Sequence, residues 1–231
     1  MQTVNIQGNE EYQRDVIRNF TKKVREKRFL VPEDFDKTFE FFCKIVEAEC
    51  KSYNIECGYN RKNNKLELIK QEVADSMPEN EWLGMEVASC DYSDELGEDV
   101  TFSFDPVFYC KKYFGKEKLE DRLEGIVELL FSAYHEVDHS VKLVNFGRSY
   151  LSPETLETAR ELFLREVYGE EFYRDNYSIL SFERYADEYA YGTTLEMVTE
   201  SDVLEIAENK ISKKRLDRDD VPFAELGKLN F

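Results

Sequence analysis

The side chains with the clearest chemistry lie in residues 134–139, which read Tyr-His-Glu-Val-Asp-His. The protein has two histidines, His135 and His139, and Glu136 directly follows the first. On an α-helix, residues four apart lie ~40° apart around the axis and ~6 Å apart along it, so both imidazoles can reach one metal ion. Glu136 projects near the same edge, where it can take a proton from metal-activated water. This H-E-x-x-H spacing predicts a zinc site with Glu136 as catalytic base.

A catalytic zinc ion needs a third protein ligand. No histidine remains and no cysteine lies near the pattern, so we expect a carboxylate. Glu183 is favoured because it lies far enough downstream for a loop and a helix to return, in the first turn of a predicted helix. Asp187, one turn later on the same face, is placed to accept a hydrogen bond from a ligand imidazole. Asp187 and Glu188 remain alternative ligands.

The two patterns together resemble the gluzincin metallopeptidases, in which a glutamate from a later helix completes the site within an E-x-x-A-D or E-x-x-x-D phrase. Residues 183–187 read Glu-Arg-Tyr-Ala-Asp and match that phrase. Over about residues 100–198 the chain is most similar to the small ImmA/IrrE-like group. The resemblance implies a zincin-like domain with bound zinc, Glu136 as base and Glu183 as third ligand. It also implies that a strand near Thr101–Asp105 lies along the cleft and pairs with extended substrate.

Two features depart from the gluzincin pattern. Asp138 lies between the histidines, where zincin helices usually carry an uncharged residue. No further histidine is present to stabilise an oxyanion, so a tyrosine or arginine would have to do so. The candidates for this role are Arg148, Tyr150, Tyr185, Tyr189 and Tyr191.

The same residues admit other functions. The protein could be a binding or regulatory protein that keeps the metal site on a zincin scaffold without turnover, because fold does not fix function. It could also be an interaction protein in which the pattern is accidental and the acidic surface binds a basic partner. The leading prediction is a zinc-dependent metallopeptidase that cleaves a specific protein or peptide.

Helical spacing of apolar residues predicts the elements that position these side chains. A helix over about residues 117–141 carries the two histidines. A second helix, from Ser181 to about Thr199, carries Glu183 and Asp187. Further helices are predicted at residues 9–28, 33–53, 152–168 and 201–214.

Shorter alternating segments predict a small, mostly antiparallel sheet, and therefore an α+β fold. Strands are expected at residues 54–60, 65–73, 82–90 and 101–104. Residues 61–64 should turn the first strand into the second, residues 91–99 should form an acidic loop, and Pro106 should end the last strand. Three segments are predicted: an N-terminal helical segment (1–53) packed on the core, the metallopeptidase domain (54–200), and a C-terminal helix and tail (201–231).

The composition limits the classes of partner and compartment. A formal net charge of −18 argues against general binding of nucleic acid or anionic membranes. Five cysteines without a C-x-x-C pair argue against a disulfide framework or a structural zinc knuckle. Met1 is followed by polar residues and no long apolar stretch occurs, so we expect a soluble protein of the reducing cytoplasm. The oligomeric state is left open.

Overall fold

Six α-helices, one π-helical turn and three strands make up the described part of the chain, which comprises residues 6–61, 88–93, 99–146 and 181–219 of a computed structural model. Two helices precede the three strands and the other helices follow them, which is an α+β arrangement. In chain order the elements are α1 (Ile6–Glu26), α2 (Pro32–Ser52), β1 (Cys57–Arg61), β2 (Ala88–Ser93), β3 (Asp99–Phe104), α3 (Pro106–Tyr109), the π-helical turn (Cys110–Phe114), α4 (Leu119–Phe146), α5 (Ser181–Met197) and α6 (Ser201–Asp219).

The predicted helices that fall on described residues are confirmed, with ends shifted by a few residues. The helix that carries the histidines is α4, which continues to Phe146, and the helix that carries Glu183 is α5. The predicted helix at residues 152–168 lies outside the described residues. Within the part of the chain that the structure describes, no helix is long and apolar enough to cross a membrane.

The three strands form a mixed sheet in the order β1-β3-β2. β1 runs parallel to β3, with Cys57 opposite Val100, and β2 runs antiparallel to β3, with Cys90 opposite Phe102. The expectation of a mostly antiparallel sheet is therefore wrong for the described strands. The long connection from β1 to β3 allows the parallel pairing, which a tight turn could not. The predicted turn and partner strand at residues 62–73 lie outside the described residues.

The strand ends also correct two local predictions. Residues 91–93 and 99, expected in an acidic loop, belong to β2 and β3, because cross-strand pairing extends the ladder into polar sequence. Pro106 does more than end β3, since it opens α3. The carboxylate of Asp105 caps that helix by accepting hydrogen bonds from the backbone N–H of Val107 at 2.9 Å and of Phe108 at 3.2 Å.

β3 lies in the centre of the sheet and is hydrogen-bonded on both edges. A strand whose two edges are already paired cannot add a further strand, because its backbone N–H and C=O groups are in use. The implied pairing of the Thr101–Asp105 strand with an extended substrate is therefore wrong. β2, which lies at the edge of the described sheet, packs against α4.

One hydrophobic core joins the helices to the inner face of the sheet. Stacked aromatic rings connect its parts: Phe42 of α2 lies on Phe104 of β3, and Phe20 of α1 lies on Phe41 of α2, each pair with centroids 4.1 Å apart. Fully burying such a side chain stabilises the fold by about 1.5–3 kcal/mol. The N-terminal helices therefore contribute to the same core that supports α4.

Arg122 fixes the start of α4 against the end of α1. Its buried guanidinium donates to the backbone carbonyl of Val24, in the last turn of α1, at 3.0 Å. It also donates to the carbonyls of Lys116 and Glu117 just before α4, at 2.9 and 2.7 Å. Carbonyls at helix ends lack helical partners, so these bonds satisfy groups that folding would otherwise bury unpaired.

Two glycines provide a matched test of the packing around α4. A Cβ at Gly125 would lie 2.4 Å from Cβ of Tyr113 and 2.8 Å from Phe114 Cε1, both in the π-helical turn. We expect Gly125→Ala to destabilise the protein by about 1–3 kcal/mol, because an atom next to the backbone cannot move aside cheaply. Gly192→Ala lies on α5, where the added Cβ meets nothing within 4 Å beyond its chain neighbours and the backbone of its own helix. This change should stabilise the protein by up to about 1 kcal/mol through helix propensity.

The measurement is urea-induced unfolding of both variants, followed by circular dichroism. Stability changes of the same sign and size would contradict the close contact of α4 with the π-helical turn.

Candidate metal centre

α4 and α5 lie against each other and bring together side chains that are far apart in the sequence. α4 presents His135 and His139, and α5 presents Glu183. The fully buried Ala186 and Ala190 of α5 are small, which lets a neighbouring helix approach closely. The packing of two helices thus places a carboxylate opposite two imidazoles spaced one helical turn apart.

The three side chains form a tight cluster. Nε2 of His135 lies 3.1 Å from Glu183 Oε2, and Nε2 of His139 lies 3.3 Å from Glu183 Oε1. The two Nε2 atoms are 3.0 Å apart. The side chains of both histidines are 14% exposed and that of Glu183 is 9% exposed. Among the described residues, these three form the group that could hold a metal ion.

The donor set and its spacing fit a metal ion. Tetrahedral ligands about 2.0–2.2 Å from zinc lie about 3.3–3.6 Å from one another. The three observed separations are within a few tenths of an ångström of this range. Nε2 of His135 faces both other groups, but it can offer only one proton or one lone pair. Direct hydrogen bonds therefore cannot satisfy the cluster fully, whereas a cation at its centre would accept a lone pair from each residue.

Burial and charge act against each other in the cluster. Burial lowers the pKa of His135, but the hydrogen bond to Glu183 and the charges of Glu136, Glu183 and Asp138 outweigh it and hold the pKa above its ordinary value. Burial raises the pKa of Glu183, but hydrogen bonds from both histidines hold that pKa well below its usual range. The carboxylate of Glu183 is therefore ionised at neutral pH, as a metal ligand must be.

Asp187 orients His135 from behind the cluster. Its Oδ1 lies 2.8 Å from Nδ1 of His135, and its side chain is 8% exposed. A proton on Nδ1 shared with this carboxylate leaves the lone pair on Nε2, which faces His139 and Glu183. The alternative in which Asp187 is the third ligand does not match this geometry. Glu188, the other alternative, is exposed on α5 and lies outside the cluster.

Asp138, which departs from the zincin pattern, has a partner that the sequence reading missed. Lys142, one turn later on α4, forms an ion pair with the Asp138 carboxylate. The ammonium group of Lys142 also lies 5.4 Å from the ring centroid of Tyr185 on α5. The spacing of four residues between an acid and a lysine was a signal available in the sequence. The pair compensates the extra negative charge between the histidines.

The tyrosines proposed for oxyanion stabilisation have different surroundings. Tyr189 donates its hydroxyl hydrogen bond to Glu49, and Tyr191 is buried with its ring 5.0 Å from that of Phe131. Tyr185 is 65% exposed. Arg148 and Tyr150, the remaining candidates, lie outside the described residues. Among the described candidates, Tyr185 is the one on the solvent side of α5.

A buried polar network behind the cluster was also missed. Glu49 of α2 accepts hydrogen bonds from Gln13 of α1 at 2.7 Å and from the hydroxyl of Tyr189 on α5. Gln13 in turn accepts one from the hydroxyl of Tyr134, at 2.8 Å. Tyr134 directly precedes His135, and Tyr189 lies two residues after Asp187. The network thus connects four helices to the residues that flank the cluster, and no local sequence pattern indicated it.

Comparisons with protein-family models, with curated proteins and with solved structures find no match. The geometry of the cluster is therefore the basis for the function proposed below.

The purified protein is expected to contain metal in a one-to-one ratio when it is prepared with zinc. His135→Ala and Glu183→Gln should each lose most of it, because two remaining ligands leave the site incomplete. Elemental analysis by mass spectrometry after dialysis measures the ratio. Glu188→Gln, which removes an equal charge from the exposed neighbour on α5, is the control and should keep the metal. A metal-free wild-type protein under zinc-replete conditions would contradict the site.

Asp187→Asn should weaken metal binding by about 10–100-fold, since the hydrogen bond that orients His135 loses its charge. Competition with a fluorescent zinc chelator gives the dissociation constant for the wild type and the variant. Unfolding curves of the two metal-free proteins separate this effect from loss of structure. An unchanged dissociation constant would show that Asp187 does not orient the imidazole.

Proposed function

We propose that the protein is a zinc-dependent metallopeptidase, with zinc held by His135, His139 and Glu183 and with Glu136 as the general base. The observation that carries this proposal is the convergence of the three donor atoms from two helices, with a half-buried glutamate directly after the first ligand on the same helix. Structural zinc sites have four protein ligands, whereas catalytic sites have three and leave a position for water or substrate.

Zinc is favoured over other metals by the donor types. Two imidazoles and one carboxylate suit a borderline-soft ion, whereas magnesium and calcium prefer oxygen ligands alone. When bound, zinc would make a water molecule acidic and polarise a carbonyl group. The separations of 3.0–3.3 Å between the donor atoms are compatible with a tetrahedral ion.

Each residue of the chain has a distinct role in this proposal. Glu136 takes a proton from the attacking water and returns it to the leaving amine. Its charge lies close enough to His135 to raise the pKa of that imidazole, as expected for a base beside the ligands. Asp187 holds the His135 ring in place. Phe131, whose ring centroid is 5.8 Å from that of His135, provides an apolar wall.

The proposed substrate is a specific protein or peptide. Restrained cleavage of one partner suits a protease in the cytoplasm, which is the compartment we propose for a chain with five free thiols. Of the described strands, β2 makes the most extensive contact with α4, and it lies at the edge of the described sheet. β2 therefore lies more fully than the central β3 against the helix that carries the proposed ligands and base.

Glu136→Gln should lower turnover by about 10²–10⁴-fold while the protein keeps its metal, because the amide cannot accept the proton from water. The probe is a mixture of fluorescence-quenched peptides with randomised sequences. Elemental analysis of the same samples confirms equal metal content.

The matched control is Glu124→Gln on α4, which removes an equal charge at a position distant in sequence from the histidines. The carboxylate of Glu124 pairs with Lys210. It should leave the rate of cleavage unchanged. Equal cleavage by wild type and Glu136→Gln would refute the assignment of the base. Full metal content without any cleavage, of these peptides or of a proteome-derived peptide mixture, would favour the binding-protein alternative.

A further inference from the structure

The end of the molecule where α1 stops and α4 begins is basic, although the protein as a whole is strongly acidic. Residues 22–31 and 111–119 hold nine Lys or Arg and two Glu, which is a formal charge of +7. Because the chain carries −18 in total, the remaining residues carry −25. Charges of one sign gathered in this way produce a local field opposite to that of the whole protein. The two segments together are called the basic end below.

Direct contacts hold the two segments of the basic end together. The backbone N–H of Phe29 donates to the carbonyl of Phe114 at 2.9 Å. A Cβ added at Gly115 would lie 3.2 Å from Cδ2 of Leu30 and 3.4 Å from the carbonyl oxygen of Phe29, so the segments approach closely there. The side chain of Phe29 is buried in the core and fixes the link between α1 and α2. A surface fixed in this way loses little entropy when it binds a partner.

The basic end also exposes apolar side chains to solvent. Leu30 is 58% exposed, Val31 is 45% exposed, and Leu119, the first residue of α4, is 39% exposed. Among the described residues, these three are the exposed large aliphatic side chains, and the other exposed large apolar side chains are tyrosines. A single exposed apolar residue is ordinary, but apolar side chains gathered among charged ones mark a surface that contacts a partner.

Part of the positive charge of the basic end is already paired within the protein. Arg25 lies 2.6 Å from Asp202 of α6, and Lys27 pairs with the buried aspartate in the first turn of α2. Lys116 and Lys118 differ, because both are exposed and neither ammonium group has an ion pair among the described residues. These two cations are therefore available to carboxylates from outside the protein.

We infer that the basic end is a docking site for a short acidic segment of a partner protein, in which Glu or Asp residues are interspersed with apolar residues. Lys116 and Lys118 pair with the carboxylates of this segment. Leu30, Val31 and Leu119 contact its apolar side chains. Charge complementarity selects this occupant, since the apolar patch lies within the most basic part of the described surface.

The distribution of charge favours a short segment over an anionic membrane or a nucleic acid. A bilayer or a duplex presents negative charge over a wide area, and it would also face the acidic remainder of the protein, which repels it. Salt at physiological concentration screens exposed charges beyond about 8 Å. A short segment can therefore contact the basic end without approaching the rest of the acidic surface.

The docking site is separate from the candidate metal centre. Leu119 opens α4 and His135 follows 16 residues later. At 1.5 Å per residue this places the two ~24 Å apart along the helix axis. The inference is therefore independent of the proposed peptidase function, and it can be tested by binding alone.

Binding of synthetic fluorescent peptides to the full-length protein tests the docking site. The peptides combine Leu with Glu or Asp at varied spacings, and each has a counterpart in which Gln or Asn replaces the acids. Fluorescence anisotropy gives the dissociation constants, and Glu136→Gln repeats the measurement so that cleavage cannot remove the probe. We expect the amide counterpart of the tightest acidic peptide to bind about tenfold more weakly or less, and added salt to weaken only the acidic peptide.

Charge reversals locate the site on the protein. Lys116→Glu and Lys118→Glu should each weaken binding of that peptide by about 3–10-fold, because an attraction becomes a repulsion. A negative charge near the start of α4 favours the helix, so both variants should fold. Leu30→Ser should weaken binding by about threefold or more through lost apolar contact. Lys51→Glu is the matched control, since this exposed lysine lies at the opposite end of α2 from the basic end, and it should bind as the wild type does.

Several results would overturn the inference: acidic peptides that bind no better than their amide counterparts, equal weakening by Lys51→Glu, or tighter binding to vesicles containing phosphatidylserine than to any peptide. A dimer that the charge reversals dissociate in analytical ultracentrifugation would assign the surface to a second copy of this chain instead. The comparison of peptides uses the wild-type protein, so it remains decisive even if a variant fails to fold. Absence of cleavage or of metal would concern the proposed peptidase function and would leave the binding result unchanged.

Discussion

The close packing of α5 against α4 is the contact on which the candidate metal centre depends. Two histidines one turn apart on α4 provide only half of a coordination sphere, and α5 supplies both the third donor, Glu183, and the residue that orients His135, Asp187. Burying the carboxylates of Glu183 and Asp187 removes them from water, which costs free energy unless their negative charges are compensated. A metal ion bound in the cluster would compensate the carboxylate of Glu183 and accept a lone pair from each of the two imidazoles.

The remaining helices hold α4 and α5 in that position. Arg122 attaches the start of α4 to the last turn of α1, and the buried Glu49 joins α2 to α1 and α5 through Gln13 and Tyr189. A buried carboxylate with its hydrogen-bond partners satisfied favours one arrangement of these helices, because shifting any of them would leave a polar group unpaired. The N-terminal helices are therefore part of the support of the site.

The sequence by itself determined the local features. Helical spacing predicted α4 and α5, the interval between His135 and His139 predicted a shared metal ion, and the shortage of histidines directed attention to Glu183 and Asp187. Those signals are periodic or short-range, so they survive without three-dimensional information. Only the tertiary structure decided the choice of Glu183 over Asp187 and Glu188 and the central place of β3. Each of these depends on which elements lie side by side, and contacts between distant segments leave no periodic trace in the sequence.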